Sequence, residues 1–319
     1  MNITKPKRLS PGDTIGIAAP ASPPGDPERI RYAIDLVASL GFKVKPGRHI
    51  FARDGYLAGR DGMRAADLEN LFLDDSVDGI FCIRGGYGAS RLLPLLDFDA
   101  ICAHPKVLMG YSDITALLMG LHACCGLVTF HGQVANHEFS PYTLESFKKL
   151  LLNPQPELAL AAPPSFESTP GRVEWENRLR VLSPGRVRGP LLGGNLTLVS
   201  HLIGTPYLPD LTGAILFLED VGEATYSIDR MLTQLHLSGT LDKIAGLVFG
   251  KFTEIRASEY PQDRVLEEVL AEYATGLGIP ALAGMMIGHI DDQAVIPIGC
   301  MAELDTDAKT LQLLESAVI

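Results

Sequence analysis

The sequence predicts an α/β protein. Its first half builds a parallel sheet covered by helices on both faces, and its smaller second half is β-rich, of mixed α+β or barrel-like form. Three observations carry this. Short apolar runs alternate with helical stretches up to residue 131, and such alternation makes parallel sheets. Pro154, Pro156, Pro163, Pro164 and Pro170 then crowd a stretch that cannot hold a helix. Beyond them the apolar runs are short and only two helices stand among them. The 319 residues fit about two domains at roughly 150 residues each. The boundaries read as 1–152, a proline-rich linker over 153–172, and 173–319.

Each element has its own cue. Residues 14–19 (TIGIAA) form a short apolar strand. Asp26-Pro27 reads as N-cap and first helical residue. Ile30, Ala33, Ile34, Val37 and Leu40 recur at helical spacing, and Gly41 is a stop. Residues 42–45 make the next strand. Residues 60–73 make a helix with Met63, Leu68, Leu71 and Phe72 inward. Residues 79–83 are a buried strand running into Arg84-Gly85-Gly86-Tyr87-Gly88. Residues 107–110 are a strand, 115–125 a helix and 127–131 a strand. In the second half, 214–218, 247–249 and 295–298 are apolar runs. Helices are expected over 226–237 and 261–274, and a hairpin turns at 305–308.

Composition excludes several classes. Hydrophobic residues at 46% and charged residues at 20% rule out wholesale disorder. Lys and Arg number 27 against 38 Asp and Glu, a formal net charge of −11, so no basic face is available for nucleic acid. The N-terminus has basic residues but no apolar stretch behind them. The apolar stretch 114–130 falls short of the ~20 residues a membrane span needs. A cytoplasmic protein is therefore expected, with neither nucleic acid nor membrane as partner. Cys82, Cys102, Cys124, Cys125 and Cys300 are odd in number and lack framework spacing, so buried reduced thiols are expected. No cysteine spacing suits a metal.

The chemistry-bearing segment is Val107-Leu108-Met109-Gly110-Tyr111-Ser112-Asp113-Ile114-Thr115, an apolar strand running straight into a helix. A sharp strand-to-helix turn lifts a serine clear of the sheet and sets backbone N–H groups beside it. Ile114 stands where the usual G-x-S-x-G has its second glycine, and N-capping by Ser112 or Asp113 is the structural alternative. The Arg84–Gly88 loop is neither G-x-G-x-x-G nor a P-loop. It suits one oxyanion donor, the Gly86 N–H, with the Asp113 N–H as the other; a plain turn is the alternative. A serine nucleophile needs a base, and the base an orienter. His122 sits in an apolar helix and reads as packed. His131 ends a strand and could line the cleft. His289, where the apolar strand 286–287 ends beside Gly288, is the candidate base, since strand ends feed clefts. Glu219 abruptly ends the apolar run 214–218 and is the candidate orienter, unless it merely opens the following helix.

RGGYG, GYSDIT, GGNLTLV, LFLEDVGEATYSIDRML and GHIDDQAVIPIG, in this order, resemble the serine LD-carboxypeptidases of peptidase family S66. The resemblance runs from Pro11 to Gly299. It implies a Rossmann-like (flavodoxin-like) N-terminal domain, a smaller β-rich C-terminal domain, a homodimer, and no cofactor. It places a Ser–Glu–His triad on Ser112, Glu219 and His289, the residues the strand-end reading also reaches. The implied activity is release of the terminal D-alanine from murein tetrapeptides in peptidoglycan recycling. Arg84, Gly85, Asn195 and Arg230 are the candidate substrate contacts, with Arg84 reading the terminal carboxylate and an ion pair with Asp229 as the structural alternative for Arg230. The chain departs from many relatives at 221–225 (VGEAT). A microcin C resistance-like peptidase acting on an aminoacyl- or peptidyl-nucleotide is the alternative within the family. It would want an aromatic to stack the base, and Trp175 is available, although core packing is the expected role. A two-domain small-ligand binding protein is the alternative of another class.

Overall fold

A computed structural model describes residues 2–256 and 264–319. The strands are β1 (Thr14–Ala18), β2 (Lys43–Pro46), β3 (Gly79–Cys82), β4 (Val107–Gly110), β5 (Thr129–His131), β6 (Leu158–Leu160) and β7 (Arg180–Ser183). They continue as β8 (Arg186–Asn195), β9 (Ile215–Val221), β10 (Gly246–Thr253), β11 (Ala281–Ala283), β12 (Ile296–Ile298), β13 (Met301–Asp305) and β14 (Thr310–Leu313). The first sheet has the order β12-β5-β4-β3-β1-β2. Its five N-terminal strands are parallel, and their order 2-1-3-4-5 is flavodoxin-like. In such sheets ligands meet the carboxyl ends of the strands, where β1, β3 and β4 run into the loops at residues 19–26, 84–88 and 111–114.

Local sequence explains the elements. Asp26 accepts the Glu28 N–H at 2.9 Å and Pro27 opens the helix Pro27–Ser39, as its cap residues predict. All four residues of β3 and of β4 are buried, as strands covered on both faces must be. Phe42, Phe81 and Phe147 pack edge-to-face, with centroids 5.9 to 6.3 Å apart, beneath them.

The second sheet has eight strands in the order β6-β14-β13-β8-β9-β10-β11-β7. Its centre, β8 to β11, is parallel, and its flanks are antiparallel. It is β-rich but open-edged among the described residues. The expected hairpin is β13–β14.

Four expectations need correction. The proline-rich stretch is not solely a linker: Leu158–Leu160 adds β6 to the edge of β14, because its prolines flank those three residues rather than interrupt them. The apolar run at 295–298 supplies β12, which pairs antiparallel with β5 in the first sheet rather than staying with its sequence neighbours. The helix expected over 261–274 is Leu266–Leu277, and residues 261–263 lie outside the described residues. Cys102 and Cys125 form a disulfide. They end the helices Phe98–Cys102 and Thr115–Cys125, whose packing brings the two C-termini together, which spacing along the chain does not reveal. Cys82 and Cys300 are buried free thiols as expected, whereas Cys124 is exposed. Among the described residues no helix is long and apolar enough to cross a membrane.

Candidate active site

Ser112 sits on a strained elbow. β4 ends at Gly110, Tyr111 is extended, and Ser112 takes φ 64°, a left-handed conformation that costs a side-chain-bearing residue about 1–3 kcal/mol. A short 3₁₀ turn, Ser112–Ile114, then feeds the helix Thr115–Cys125. Neither Ser112 nor Asp113 caps that helix with its side chain. The buried Asp113 carboxylate instead accepts the Ala89 N–H at 2.7 Å, tying the elbow to the glycine loop. Burial pushes its pKa up to about 6, against the opposing pull of the Ala89 N–H and of Arg64.

The glycine loop abuts the serine. A Cβ on Gly85 would lie 2.8 Å from Ser112 Cβ and 3.1 Å from its Oγ, so only glycine lets the loop approach this closely. A Cβ on Gly86, at φ 107°, would instead meet Ser22 at 2.6 Å. Ser22 Oγ in turn accepts the Tyr87 N–H at 3.1 Å. Arg84 is exposed and donates to the Pro23 carbonyl at 2.8 Å, and its charge reaches His137 on the cleft wall.

Sequence reasoning missed Arg64, next to the residue it read as inward. Arg64 is 2% exposed, while Met63 is only half-buried. Its guanidinium donates to the Gly59, Pro20 and Gly88 carbonyls and pairs with Asp61. It thereby sews three loops together beneath the glycine turn. An isolated arginine in a helical pattern carries no cue for this.

Glu219 lies within β9 rather than at its end and is fully buried. Its Oε2 accepts from His289 Nδ1 at 2.8 Å. Burial pushes its pKa up, while His289 opposes that shift by hydrogen bond and charge. His289 is not on a strand: it stands in the irregular segment after β11, because the run at 285–287 does not join a ladder. The Tyr111 ring lies 4.8 Å from the His289 ring, which brings the residue before Ser112 against the imidazole. Tyr111, His137, Glu138, Glu254, His289 and Asp291 are among the walls of a cleft of about 610 Å³ there. Elbow, carboxylate and imidazole thus converge from three distant segments.

Other candidates fare differently. Asn195 is buried and committed: its amide donates to Asp220 at 2.8 Å, its oxygen caps the helix Leu196–His201, and its N–H bonds Thr115 at 3.1 Å. That is a structural post rather than a free substrate contact. With Gly194, where a Cβ would meet Thr115 at 2.5 Å, it locks β8 against the helix that starts at the elbow. Arg230 is exposed, lies over the Tyr226 ring at 5.6 Å and reaches Ser227 Oγ at 3.4 Å. Asp229 pairs with Arg264 at 3.7 Å instead of with Arg230. Trp175 is 72% exposed, with Arg178 at 5.7 Å from its ring centre, so it is not a core residue. His122 is packed as expected, bonded to the Leu127 carbonyl. His131 is wholly buried beside the cleft rather than lining it.

A flavodoxin-like sheet and a second β-rich sheet make this a two-domain protein of mixed α/β class, and its relatives make it a hydrolase. More narrowly, the chain belongs to the LD-carboxypeptidase (S66 peptidase) family. Residues 15–132 match the LD-carboxypeptidase N-terminal domain and residues 188–304 its C-terminal domain. It is 40% identical over 312 residues to the probable murein peptide carboxypeptidase of Bacillus subtilis, covering 96% of this chain and 93% of that one. A solved structure of MccF in complex with glutamyl sulfamoyl guanosine is similar with a TM-score of 0.88 and 29% identity, covering 99% of both chains. The muramoyltetrapeptide carboxypeptidase of Oxalobacter formigenes is similar with a TM-score of 0.80 and 31% identity, covering 94% of this chain and 97% of that one.

Proposed function

We propose that this chain is a serine LD-carboxypeptidase that releases the terminal D-alanine from murein tetrapeptides through an acyl-enzyme, as a step of peptidoglycan recycling. The observation that carries the reading is the 2.8 Å Glu219–His289 hydrogen bond beside the strained Ser112 elbow. With Nδ1 donating to Glu219, Nε2 of His289 keeps a lone pair for a proton. His289 takes the Ser112 proton as Oγ attacks the carbonyl carbon of the diamino acid. The backbone N–H groups of Gly86 and Asp113 hold the oxyanion. The imidazolium returns its proton to the departing amine of D-alanine as the C–N bond breaks. Water, deprotonated by His289, then cleaves the ester and frees Ser112. Arg84 is the cation that replaces the hydration of the terminal carboxylate.

Ser112→Ala should lower turnover of a tetrapeptide by about 10⁶-fold if the three groups act as one unit. Residual activity near wild type would sink the assignment. A serine-directed phosphonate should label Ser112, which a ligand-binding protein would not show.

A second reading, cleavage of an aminoacyl- or peptidyl-nucleotide, is supported by two observations. Trp175 is exposed, and the chain is similar to MccF. Assaying the purified protein on a murein tetrapeptide and on an aminoacyl-nucleotide separates the two. The larger kcat/KM identifies the substrate class.

A further inference from the structure

The reaction chemistry leaves one buried imidazole unused. His131, the last residue of β5, is 0% exposed, and among the described residues neither of its ring nitrogens has a hydrogen-bond partner. Burial, helped by the charge of His289, pushes its pKa down to about 3, so the ring is neutral and carries one N–H donor and one lone pair. Native interiors rarely leave such groups unmatched.

Its neighbours say what it faces. His131 pairs with Gly110 of β4, which leads directly to Tyr111 and Ser112. Its ring lies edge-on to Tyr111 at 6.0 Å and to Phe217 at 5.5 Å. Phe217 stands two residues before Glu219 on β9, so both project from one face. Two more unmatched atoms belong to the same neighbourhood. Glu219 gives Oε2 to His289, and its Oε1 has no partner among the described residues. Gln293 donates to the Gly288 carbonyl, and its Oε1 is likewise unpartnered. Gly288 lies against the carboxylate: a Cβ there would be 3.0 Å from Glu219 Oε2. The Gln293 amide spends one N–H on Gly288, and the Asn195 amide, which also pulls the Glu219 pKa down, spends one on Asp220; His131 alone has a ring on which neither nitrogen is engaged among the described residues.

We propose that His131 is a positioning residue for the acid of the triad: through one internal water, its N–H holds the free oxygen of Glu219 and so fixes the carboxylate against His289. The water accepts from His131 and donates to Glu219 Oε1 and Gln293 Oε1. That is three bonds, a typical number for a buried water. The other titratable or polar groups facing the pair are Asp220 on the same strand, Tyr111 on the elbow, Asn195 at the end of β8, and Asp291 and His137 around the cleft. Asp220 is already satisfied by Asn195 and Thr197.

The proposal rests on Glu219 and His289 being orienter and base, and the test separates the two claims. His131→Phe keeps an aromatic ring and removes both nitrogens; His131→Asn keeps an N–H. In His131→Phe, kcat on the tetrapeptide should fall by about 10- to 100-fold with KM essentially unchanged. The acid limb of the kcat/KM profile should move to higher pH, because a carboxylate that loses a donor becomes a stronger base. His131→Asn should recover part of both. Proton NMR reads the same contact without turnover. The wild type should show a slowly exchanging His131 ring N–H from pH 5 to 8, and the deshielded His289 Nδ1 proton should shift in His131→Phe. Equal losses in both variants with an unmoved limb and an unmoved His289 proton would show that His131 only fills space. Wild-type kinetics in His131→Phe, or fast exchange of the His131 N–H, would also overturn the proposal. If His131→Phe fails to fold, His131→Asn and the wild-type spectrum still decide. An active Ser112→Ala would overturn the acyl-enzyme reading while leaving these NMR outcomes to judge His131.

Discussion

Replacing Asp113 by asparagine should make the protein more stable at neutral pH while sparing the elbow. The carboxyl is 3% exposed, and its pKa rises from 3.8 to about 6 on folding. Between those values the folded state keeps a proton that the unfolded chain has released. Stability from this group is therefore fully present below pH 3.8 and declines as pH rises through about 6. A shift of about two units corresponds to roughly 3 kcal/mol of penalty on the native carboxylate at pH 7.5. Asparagine carries no charge, and its side-chain oxygen still accepts the Ala89 N–H. Urea unfolding at pH 4, 6 and 7.5 measures the difference, provided the slope m is unchanged. The gap between variant and wild type should widen by about 2–3 kcal/mol in favour of the variant from pH 4 to 7.5. Turnover should stay close to wild type, because the oxyanion donor proposed at this position is a backbone N–H. A gap independent of pH would refute the assignment of this penalty to the Asp113 carboxylate.

Three further outcomes follow from the same framework. Gly85→Ala puts a methyl 2.8 Å from Ser112 Cβ and should lower kcat by about 10²-fold or more, with slower phosphonate labelling; unchanged labelling would mean the loop yields freely. Arg64→Leu removes the donors to the Pro20, Gly59 and Gly88 carbonyls and leaves Asp61 with only Arg91, so it should cost about 3–5 kcal/mol in urea unfolding. Cys102→Ser opens a loop with a sequence separation of 23 and should cost roughly 3 kcal/mol under oxidising conditions and nothing with excess dithiothreitol, read as melting temperature.

The first sheet was legible because its strands are short apolar runs bounded by glycine, proline or a helix cap, signals that act locally. Ser112 and Glu219 were legible as candidates for a related reason: a serine at a strand-to-helix junction and an acid that abruptly ends an apolar run are both out of place locally. Ladder partners are not local, so the placement of β12 beside β5 and of β6 beside β14 could not be read from either segment. The Cys102–Cys125 bond depends on how two helices pack, and Trp175 looks the same in sequence whether it is covered or open. Arg64 hides because a buried guanidinium is bonded to backbone carbonyls that every residue carries.

The pairing of β12 with β5 also orders events during synthesis. Residues 129–131 are made long before residues 296–298, so β5 waits with an open edge for more than half of the chain to emerge. The strand next to it leads into Ser112, and the strand that closes the edge follows His289 by only a few residues. The half that holds Ser112 therefore reaches its final form only once the half that holds His289 has been made. A chain cut short before residue 296 leaves the ribosome with a serine, no finished sheet around it, and an exposed edge that chaperones or proteases can engage.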